Sequence, residues 1–344
     1  MDIKALKDSV IKEVEAHRRQ LRDLSLKIHA NPELGFKEVK ASARLTQYLE
    51  ENGFAIERGI CELPTAFQGR YGKGKPAIAI LAEYDALPQL GHACGHNLIA
   101  GAAVGAAVAS KPAIDKCGGS VLVIGTPAEE FHGGKVIMAE RGAFDNIDIA
   151  MMVHPGAHDT ATTQALSCIT LEVEFFGKAA HAATRPDSAG SFLVRAEDNA
   201  YLDELKEKVL NCFVGAAAAT GARLEYQWGK ILYAPLLNNL TLAELFRQNI
   251  NSLGHDMPLS GASRVGSTDM GNVSQLVPGI HPTIAVAPET VVIHSPEFAL
   301  TAASEAGIKG MLDAAKALAM TVVDLTAGPE TVTKVKEEFE RAGR

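Results

Sequence analysis

Short apolar segments alternate with helix-like segments through the first half of this chain, and this alternation constrains its fold more than any other feature. The segment PAIAILAEYDALP (76–88) predicts a buried strand, because it is a short apolar run that ends at turn residues. The same pattern predicts a helix over 98–110, a strand over 120–125, a helix over 133–142 and a strand over 147–153. Strands that alternate with helices are typical of α/β proteins, so we predict an α/β fold.

Helices are predicted near both ends of the chain. Apolar residues recur at helical spacing among charged residues over 6–28, which predicts one amphipathic helix ending near Pro32, and a second helix is predicted over 38–52. PTIAVAP (282–288) predicts another buried strand, and the spacing over 296–324 predicts a long closing helix with a proline in its first turn. We therefore expect the α/β layer to resume in the last quarter of the chain.

The segment between these parts has a different pattern. CITLEVEFFGKAAH (168–181) alternates like a half-exposed antiparallel strand, SFLVRAED (191–198) predicts a second strand, and 202–219 has helical spacing. This pattern predicts a small inserted α+β lid that is joined to the α/β layer by hinges such as Gly221. The predicted domain limits are 1–166 for the first part of the catalytic domain, 167–222 for the lid, and 223–344 for the second part.

The composition narrows the partners and the location of the protein. Its 344 residues contain 33 lysines and arginines and 41 aspartates and glutamates, and the net charge of -8 disfavours a nucleic-acid partner. The longest apolar run, 98–109, contains two glycines and is shorter than the ~18 residues of a membrane span, so no membrane partner is expected. The charged N-terminal segment lacks the apolar stretch of a secretory signal, and five scattered cysteines argue against a disulfide framework. We therefore expect a cytoplasmic protein.

Residues that bind metals or move protons follow each predicted strand. Ligands of open α/β sheets lie outside the carboxyl ends of the strands, so these positions are where a site is expected. They are Asp85, His92, Cys94 and His96 after the first strand, Glu129 and Glu130 after the second, and His154 after the third. His294 lies in the short β-like segment VVIHSPEF before the closing helix. A set of thiolate, imidazole and carboxylate groups suits a divalent transition metal.

The spacing of these residues suggests which of them bind the metal and which activates the attacking water. Cys94 and His96 are one residue apart and point the same way only from an extended or loop backbone, so a loop would hold one side of a metal. Glu129 and Glu130 cannot aim at one point from a regular strand, but in a turn one carboxylate binds metal while the other holds the attacking water. A metal lowers the pKa of water towards neutrality and a carboxylate base completes the nucleophile, which is the general route of metal-assisted amide hydrolysis.

Each of these residues also has a structural interpretation. Cys94 alone is typical of a buried small apolar residue, the Glu129–Glu130 pair of an exposed helix start, and Asp85 of a turn. Their joint occurrence at successive strand ends favours the metal site. A second enzymatic hypothesis makes Cys94 a thiol nucleophile with His96 as its base.

Other features are set aside. GKGKP (72–76) lacks the spacing and the Ser or Thr of a phosphate-binding loop, and we interpret it as a basic turn. His132, His158 and His281 are interpreted as surface or loop histidines. The predicted site therefore does not include them.

The motifs resemble the M20 family of metallopeptidases and amidohydrolases, in particular its aminoacylase-like branch of aminobenzoyl-glutamate hydrolases and M20 domain-containing dipeptidases. The resemblance spans nearly the whole chain in the expected order. It rests on IHANPELGFKE (28–38), AEYDALPQLGHACGHN (82–97), GTPAEE (125–130), MVHPG (152–156), FGKAAHAATRP (176–186), STDMGNVS (267–274) and IHSPEF (293–298). It implies a three-layer zinc-peptidase-like catalytic domain with an inserted lid.

The resemblance also implies a role for each site residue. Two divalent metal ions, Zn²⁺ or alternatively Mn²⁺ or Co²⁺, would be held by Cys94 as the bridging ligand and by His96, Glu130, His154 and His294. Glu129 matches the general base, and Asp85 matches the acid that supports the metal site by orienting its ligands. His181 matches a lid histidine that stabilises the oxyanion, and Arg195 matches a residue that grips a substrate carboxylate.

One departure from the family concerns the lid. Relatives continue after the HAATRP motif with a helix and two strands that include dimerisation surfaces, whereas only 187–190 stand here before SFLVRA. Either the lid is shortened in this protein or the sequence omits a segment there, and the homodimer that the resemblance implies depends on which of the two holds. We predict a metal-dependent hydrolase of N-acyl-amino acids, dipeptides or aminobenzoyl-glutamate-like amides that uses a metal-activated water with Glu129 as base. The alternatives are a non-catalytic metal-holding binding protein of the same fold and the Cys94 thiol amidase.

Overall fold

A computed structural model describes residues 2–177, 188–261 and 266–342 of the chain. The chain divides into two compact units. The first unit comprises Met1–Thr163, Leu237–Ser263 and Val273–Arg344, and the second comprises Gln164–Leu236 and Arg264–Asn272. The second unit thus begins and ends at different residues from the predicted 167–222 segment, whose limits stay a prediction.

Helices and strands alternate along the chain as an α/β fold requires. The helices are α1 (Ile3–Ala16), α2 (Arg18–His29), α3 (Val39–Glu51), α4 (His96–Ala109), α5 (Lys111–Cys117), the single turn α6 (Glu129–His132), α7 (Gly134–Glu140), α8 (Asn199–Thr220), α9 (Leu240–Ser252), α10 (Met270–Ser274), α11 (Pro296–Thr301), α12 (Glu305–Ala327) and α13 (Pro329–Ala342). The strands are β1 (Ala55–Arg58), β2 (Phe67–Lys73), β3 (Ala77–Ala82), β4 (Gly119–Gly125), β5 (Ile149–Met151), β6 (His154–Gly156), β7 (Ser167–Phe176), β8 (Ser188–Ala196), β9 (Arg223–Tyr233), β10 (Gly279–Ile280) and β11 (Thr283–Ala285). The predicted α/β class is confirmed.

The first unit is built on a six-stranded sheet in the order β1-β2-β4-β3-β5-β10. Strand β3 pairs in parallel with both β4 and β5, and β10 pairs in parallel with β5, so the carboxyl ends of these strands meet at one edge. The three strands predicted from the first half of the chain are therefore confirmed as neighbours. The predicted strand 282–288 is shorter than expected and belongs to a separate two-stranded sheet, in which β11 pairs with β6.

Helix α4 forms the centre of the core. Each of its residues is buried, and its glycines admit neighbouring helices at close range. A Cβ atom on Gly101 would lie 2.3 Å from the Sδ of Met311 in α12, and one on Gly105 would lie 2.8 Å from Cδ1 of Leu21 in α2. The segment His96–Cys117 is long and apolar enough to cross a membrane, but 89% of its apolar window is buried inside the protein, as expected for a core helix. The first residue of this buried helix is His96, one of the predicted metal ligands.

Two predicted long helices are each interrupted. The first ends and restarts at His17, whose ring nitrogen Nδ1 lies 2.9 Å from the hydroxyl of Tyr48 in α3. The second is divided into α11 and α12, because the buried Asn97 amide donates to the carbonyl of Ala302 at 2.9 Å and Ser304 caps the start of α12. Both interruptions depend on contacts with distant residues, which local spacing does not reveal.

The second unit consists of a three-stranded antiparallel sheet, β8-β7-β9, and helix α8. Strands β7 and β8 and helix α8 agree with the predicted elements, whereas β9 was not predicted because its residues are only half buried or exposed. Asp198 caps α8 through a 2.8 Å bond from the Tyr201 amide, and Gly221 ends it in a left-handed conformation. The apolar cluster between helix and sheet is formed by Ile169, Leu171, Val173, Val194, Ala196 and Leu202.

A histidine between two carboxylates makes the stability of the first unit depend on pH. Nδ1 of His255 lies 3.1 Å from Asp159 and Nε2 lies 3.4 Å from Asp313, which also accepts a 2.7 Å bond from Lys309. The other oxygen of Asp159 accepts the amide of Ala285, so this contact also holds strand β11. The bonds to the two aspartates raise the pKa of His255 from 6.5 to about 9.

We therefore expect the free energy of unfolding to contain a His255 contribution that is fully present below about pH 6.5, the usual histidine pKa. It is lost as the pH rises through about 9, where the folded protein releases this proton. Urea unfolding of the wild type and His255→Gln at pH 6, 7.5 and 9.5 measures the effect. The difference between the two proteins should shrink at pH 9.5, and a constant difference would contradict the assignment.

Candidate metal centre

The predicted site residues of the first unit converge at the carboxyl ends of its parallel strands. Asp85 follows β3, Glu129 and Glu130 follow β4, and His154 follows β5 at the start of β6. Cys94 lies in the loop before α4, and His96 is the first residue of that helix. The sheet topology thus explains why residues distant in sequence form one cluster.

A glycine-dependent loop brings Cys94 against His154. Gly95 adopts a left-handed conformation with φ of 79°, and a Cβ there would lie 2.6 Å from Cγ of Pro155. The Sγ atom of Cys94 lies 3.4 Å from Nε2 of His154, whose Nδ1 donates to the carbonyl of Pro155 at 2.7 Å. Burial lowers the pKa of His154, so its imidazole is neutral and its Nε2 lone pair faces the thiol. Cys94 thus lies in a loop, as predicted, whereas His96 is already the first residue of α4.

Asp85 sets the orientation of His96. The Nδ1 atom of His96 lies 2.9 Å from Oδ1 of Asp85 and 3.0 Å from its backbone carbonyl. These acceptors fix a proton on Nδ1 and turn Nε2 towards the cluster, which is the arrangement of a metal-ligating histidine with a supporting carboxylate. Burial acts to lower the pKa of His96, but Cys94, Asp85 and Glu83 together raise it well above its usual value, so an ion bound at Nε2 would take the place of a proton. Nε2 faces carboxylate oxygens of Glu83 at 3.4 Å, Glu130 at 3.9 Å and Glu129 at 4.0 Å.

The two glutamates lie in an irregular turn rather than in a strand or a regular helix. Ala128 and Phe131 have positive φ values of 59° and 69°, and Glu130 has an extended backbone. The Glu130 amide donates to Oδ2 of Asp85 at 2.9 Å, and Oε1 of Glu130 lies 3.3 Å from Nε2 of His294. This turn brings carboxylate oxygens of both adjacent glutamates to about the same distance from Nε2 of His96, 4.0 Å for Glu129 and 3.9 Å for Glu130.

His294 does not lie in a strand, and the predicted β-like segment around it is wrong. Its φ value is 68°, in the left-handed region, and its amide donates to the carbonyl of Ala93 at 2.9 Å. This bond attaches the His294 loop to the segment that carries Cys94. The conformation is unusual for a residue with a side chain and depends on that contact.

The ligand atoms of the cluster are close enough to hold cations. Among the described residues of the first unit, three groups have ligand atoms within 4.8 Å of one another, and they are Cys94, His96 and His154, then Cys94, Glu130 and His294, then His96, Glu129 and Glu130. Cys94, His96 and Glu130 each belong to two of these groups, and the thiolate of Cys94 could serve two neighbouring ions. This sharing is what a bridging ligand of a two-metal centre requires.

The charges and unpaired atoms of the cluster fit a cation. Nε2 of His96 and Oε2 of Glu83 are buried without a hydrogen-bond partner in the described part of the chain. Burial acts to raise the pKa of Glu130, but the contact with His294 and the charges of His96 and His294 together outweigh it and lower that pKa. Burial likewise acts to raise the pKa of Glu83, but the charges of Lys135 and of the neighbouring histidines together outweigh it and lower that pKa. Ionised carboxylates beside unpaired ligand atoms are the environment that a divalent ion stabilises.

The environment of Cys94 disfavours the thiol-nucleophile hypothesis. Its side chain is buried, and burial raises the pKa of the thiol well above its usual value. A nucleophilic cysteine requires a lowered pKa, whereas a cysteine that binds metal is deprotonated by the ion itself. The geometry therefore favours Cys94 as a metal ligand.

Three buried residues at the cluster were not predicted as part of it. Glu83 directly follows β3 and forms an ion pair with the fully buried Lys135. His281 directly follows β10, is 4% exposed and lies with its ring centre 5.5 Å from that of His154. Its interpretation as a surface or loop histidine is wrong as to burial, whereas His132 and His158 are exposed. Sequence reasoning missed both residues, because Glu83 lies within the predicted strand segment 76–88 and His281 precedes the predicted strand 282–288.

Two predicted residues lie elsewhere. Arg195 is an exposed residue of β8 in the second unit, where its Nε donates to Ser267 at 3.2 Å. His181 lies outside the described residues. The roles of both stay predictions.

Comparison with known proteins decides the family. The model of peptidase family M20/M25/M40 matches residues 79–321, which is more than half of the chain. The chain belongs to this family. It is 32% identical over 403 positions to the Xaa-Arg dipeptidase of Mus musculus, with 98% of this chain and 93% of the mouse protein covered. It is 38% identical over 200 positions to one subunit of the p-aminobenzoyl-glutamate hydrolase of Escherichia coli K12, an alignment that covers 52% of this chain and 42% of that protein.

The solved structures agree with this membership. A Bacillus subtilis protein described as a dinuclear metal binding peptidase from the M20 family superposes with a TM-score of 0.74 at 20% identity, over 91% of this chain and 99% of that one. The fold is therefore that of M20 peptidases. The M20 chain described here is a metal-dependent amide hydrolase of the aminoacylase- and dipeptidase-like branch, and it takes divalent metal ions.

Proposed function

We propose that this M20 enzyme hydrolyses the amide bond of dipeptides or N-acyl-amino acids at the cluster formed by Cys94, His96, Glu130, His154 and His294. The observation that carries the proposal is the overlap of the ligand groups, since Cys94, His96 and Glu130 each belong to two of those formed within the first unit and Glu129 belongs to the group with His96 and Glu130. Zn²⁺ is the proposed ion, because the mixed set of sulfur, nitrogen and oxygen ligands suits it, and Mn²⁺ and Co²⁺ are the alternatives. A divalent cation bound there lowers the pKa of water and polarises a carbonyl oxygen.

In this proposal Glu129 moves the proton. Its carboxylate accepts a proton from the attacking water as the water oxygen bonds to the carbonyl carbon. It then donates the proton to the amine nitrogen as the carbon–nitrogen bond breaks, which gives a carboxylic acid and an amine. Asp85 keeps the His96 imidazole in the tautomer and orientation of a ligand.

The second unit and its residues enter the proposal through the family resemblance. We propose that this unit is the lid, that Arg195 binds the substrate carboxylate, and that His181 stabilises the oxyanion. The 403 positions aligned with the mouse dipeptidase exceed the 344 residues of this chain, so at least 59 mouse residues lack a counterpart here. A lid shortened at 187–190 agrees with this difference. The homodimer and the cytoplasmic location also stay proposals.

The similarity of this chain to named enzymes determines the order in which candidate substrates should be tested. The mouse and human relatives named Xaa-Arg dipeptidase align along almost the whole chain, so dipeptides with C-terminal arginine come first. Aminobenzoyl-glutamate comes second, because its hydrolase aligns with about half of the chain. N-acetyl amino acids complete the panel.

We expect chelation to abolish hydrolysis reversibly. Incubation with 1,10-phenanthroline should remove the ions and the activity, and Zn²⁺, Mn²⁺ or Co²⁺ added afterwards should restore the activity, as followed by amine release and metal analysis. Activity that survives chelation but is lost on thiol alkylation would favour the thiol amidase. Substrate binding without hydrolysis of any panel member would favour a non-catalytic binding protein.

A further inference from the structure

The segment at 32–38 contains a buried charge that the proposed chemistry does not use. It belongs to the motif IHANPELGFKE, and its last residue, Glu38, has no exposed surface. A buried carboxylate is costly unless it is hydrogen-bonded, so the partners of Glu38 indicate what it stabilises.

The partners of Glu38 lie on three segments. Oε1 accepts the amide of Phe36 at 2.9 Å and the amide of Ala128 at 2.8 Å, and Oε2 accepts the hydroxyl of Thr65 at 2.8 Å. Ala128 is far from Glu38 in sequence and immediately precedes Glu129. Glu38 therefore connects the N-terminal segment to the backbone of the proposed base.

The turn that Glu38 contacts has an unusual conformation. Ala128 has a φ value of 59°, which residues with a Cβ rarely adopt without support from their surroundings. Gly35 packs directly on it, because a Cβ atom at that position would lie 2.9 Å from Cβ of Ala128. The ring of Phe36 stacks on that of His132 at 5.5 Å between centres, on the other side of the glutamates. The segment at 32–38 thus braces the turn at several points.

A second carboxylate holds the same turn one residue beyond Glu129. Oδ2 of Asp85 accepts the amide of Glu130 at 2.9 Å, and Oε1 of Glu38 accepts the amide of Ala128. The backbone of Glu129 is therefore flanked on both sides by amides bonded to buried carboxylates from separate segments. Proton transfer requires a base within hydrogen-bond reach of its proton, so small shifts of this backbone should affect the rate.

We propose that Glu38 is a positioning residue that fixes the turn carrying Glu129 for proton transfer. This inference rests on the proposed function of Glu129. Burial raises the pKa of Glu38 to about 7, and in either protonation state Oε1 can accept both backbone amides. The required property is therefore an acceptor oxygen at this point, and a glutamine can supply it.

The same segment offers a matched control. The Glu33 carboxylate accepts the amides of Lys40 at 2.9 Å and Ala41 at 2.9 Å, and these amides lie in the first turn of α3. It performs a comparable structural task without a bond to the turn at 128–131. Glu33→Ala should therefore lower the melting temperature and leave kcat close to that of the wild type.

The experiment measures kcat, KM, bound metal and melting temperature for Glu38→Ala, Glu38→Gln and Glu33→Ala on the best substrate of the panel. For Glu38→Ala we expect kcat to fall by about 10–100-fold, because misplacement by about 1 Å has effects of this size, with KM and metal content nearly unchanged. Glu38→Gln should recover most of the lost kcat. Equal kcat values for Glu38→Ala and Glu33→Ala, or a Glu38→Gln variant as slow as Glu38→Ala, would overturn the inference.

A further variant keeps the test decisive if Glu38→Ala does not fold. Thr65→Val keeps the shape of the side chain and removes the hydroxyl that orients Oε2, so kcat should fall between the wild-type and the expected Glu38→Ala value while KM is unchanged. An unchanged kcat in folded Thr65→Val would then overturn the inference. A wild-type protein that hydrolyses nothing, or Glu129→Gln with full activity, would overturn the proposed function as well. If Glu129→Gln loses its activity while Glu38→Ala keeps the kcat of the wild type, only the role of Glu38 is overturned.

Discussion

Replacement of Glu129 by glutamine is expected to lower kcat by about 10²–10⁴-fold, the usual contribution of a general base. Glutamine has nearly the same shape but accepts no proton at neutral pH. The side chain of Glu129 lies beside the ligands, with its carboxylate 4.0 Å from Nε2 of His96, and remains 13% exposed, so water reaches it. Because the five proposed ligands are unchanged, the variant should bind the same amount of metal as the wild type.

The matched control for this variant is Glu140→Gln. It makes the same chemical change at an exposed residue at the end of α7, so its kcat should equal that of the wild type. Steady-state kinetics and metal analysis of the three proteins decide the role of Glu129. Loss of both activity and metal would instead assign Glu129 to the ligands, since it also belongs to the group with His96 and Glu130.

Replacement of Cys94 by serine should remove both the activity and the bound metal. Cys94 is shared by two ligand groups, and a serine hydroxyl stays protonated at neutral pH and binds Zn²⁺ poorly. Loss of groups that merely support ligands costs about 10–100-fold in affinity, so loss of a shared ligand should cost at least about 100-fold. Metal titration followed by calorimetry measures the affinity directly.

Cys168→Ser is the control, because Cys168 is also a buried thiol but lies in β7 of the second unit. It should retain full metal content, and any loss of stability common to both variants reports only the burial of a hydroxyl. A Cys94→Ser protein that keeps its metal but loses all activity would favour the thiol nucleophile. Full activity with full metal would remove Cys94 from the site.

The parallel part of the fold could be predicted from sequence because its signals are local. The segments of β3 and β4 are apolar throughout and buried at every position, so composition alone identifies them. Strands β1 and β9 escaped prediction because they lie at sheet edges and none of their residues is fully buried. Their positions follow from pairing with distant strands rather than from their own composition.

In the site, too, features that depend on neighbouring residues could be predicted, whereas features that depend on contacts between distant residues could not. Cys94 and His96 could be predicted, since their spacing and their place after a strand are visible in the sequence. The left-handed conformation of His294 could not be predicted, because it depends on a bond to Ala93. The burial of Glu83 is equally hidden, because it depends on the ion pair with Lys135, which lies in helix α7. Distant contacts therefore account for what sequence reasoning missed.

The wide spacing of the ligands along the chain links metal affinity to folding thermodynamics. Cys94, Glu130, His154 and His294 come from four segments of the first unit, and they meet only when its sheet is assembled. An ion that binds only this folded arrangement raises the unfolding temperature in proportion to the logarithm of its concentration divided by its dissociation constant. A calorimetric scan across a series of cations thus ranks them by affinity without any knowledge of the natural substrate.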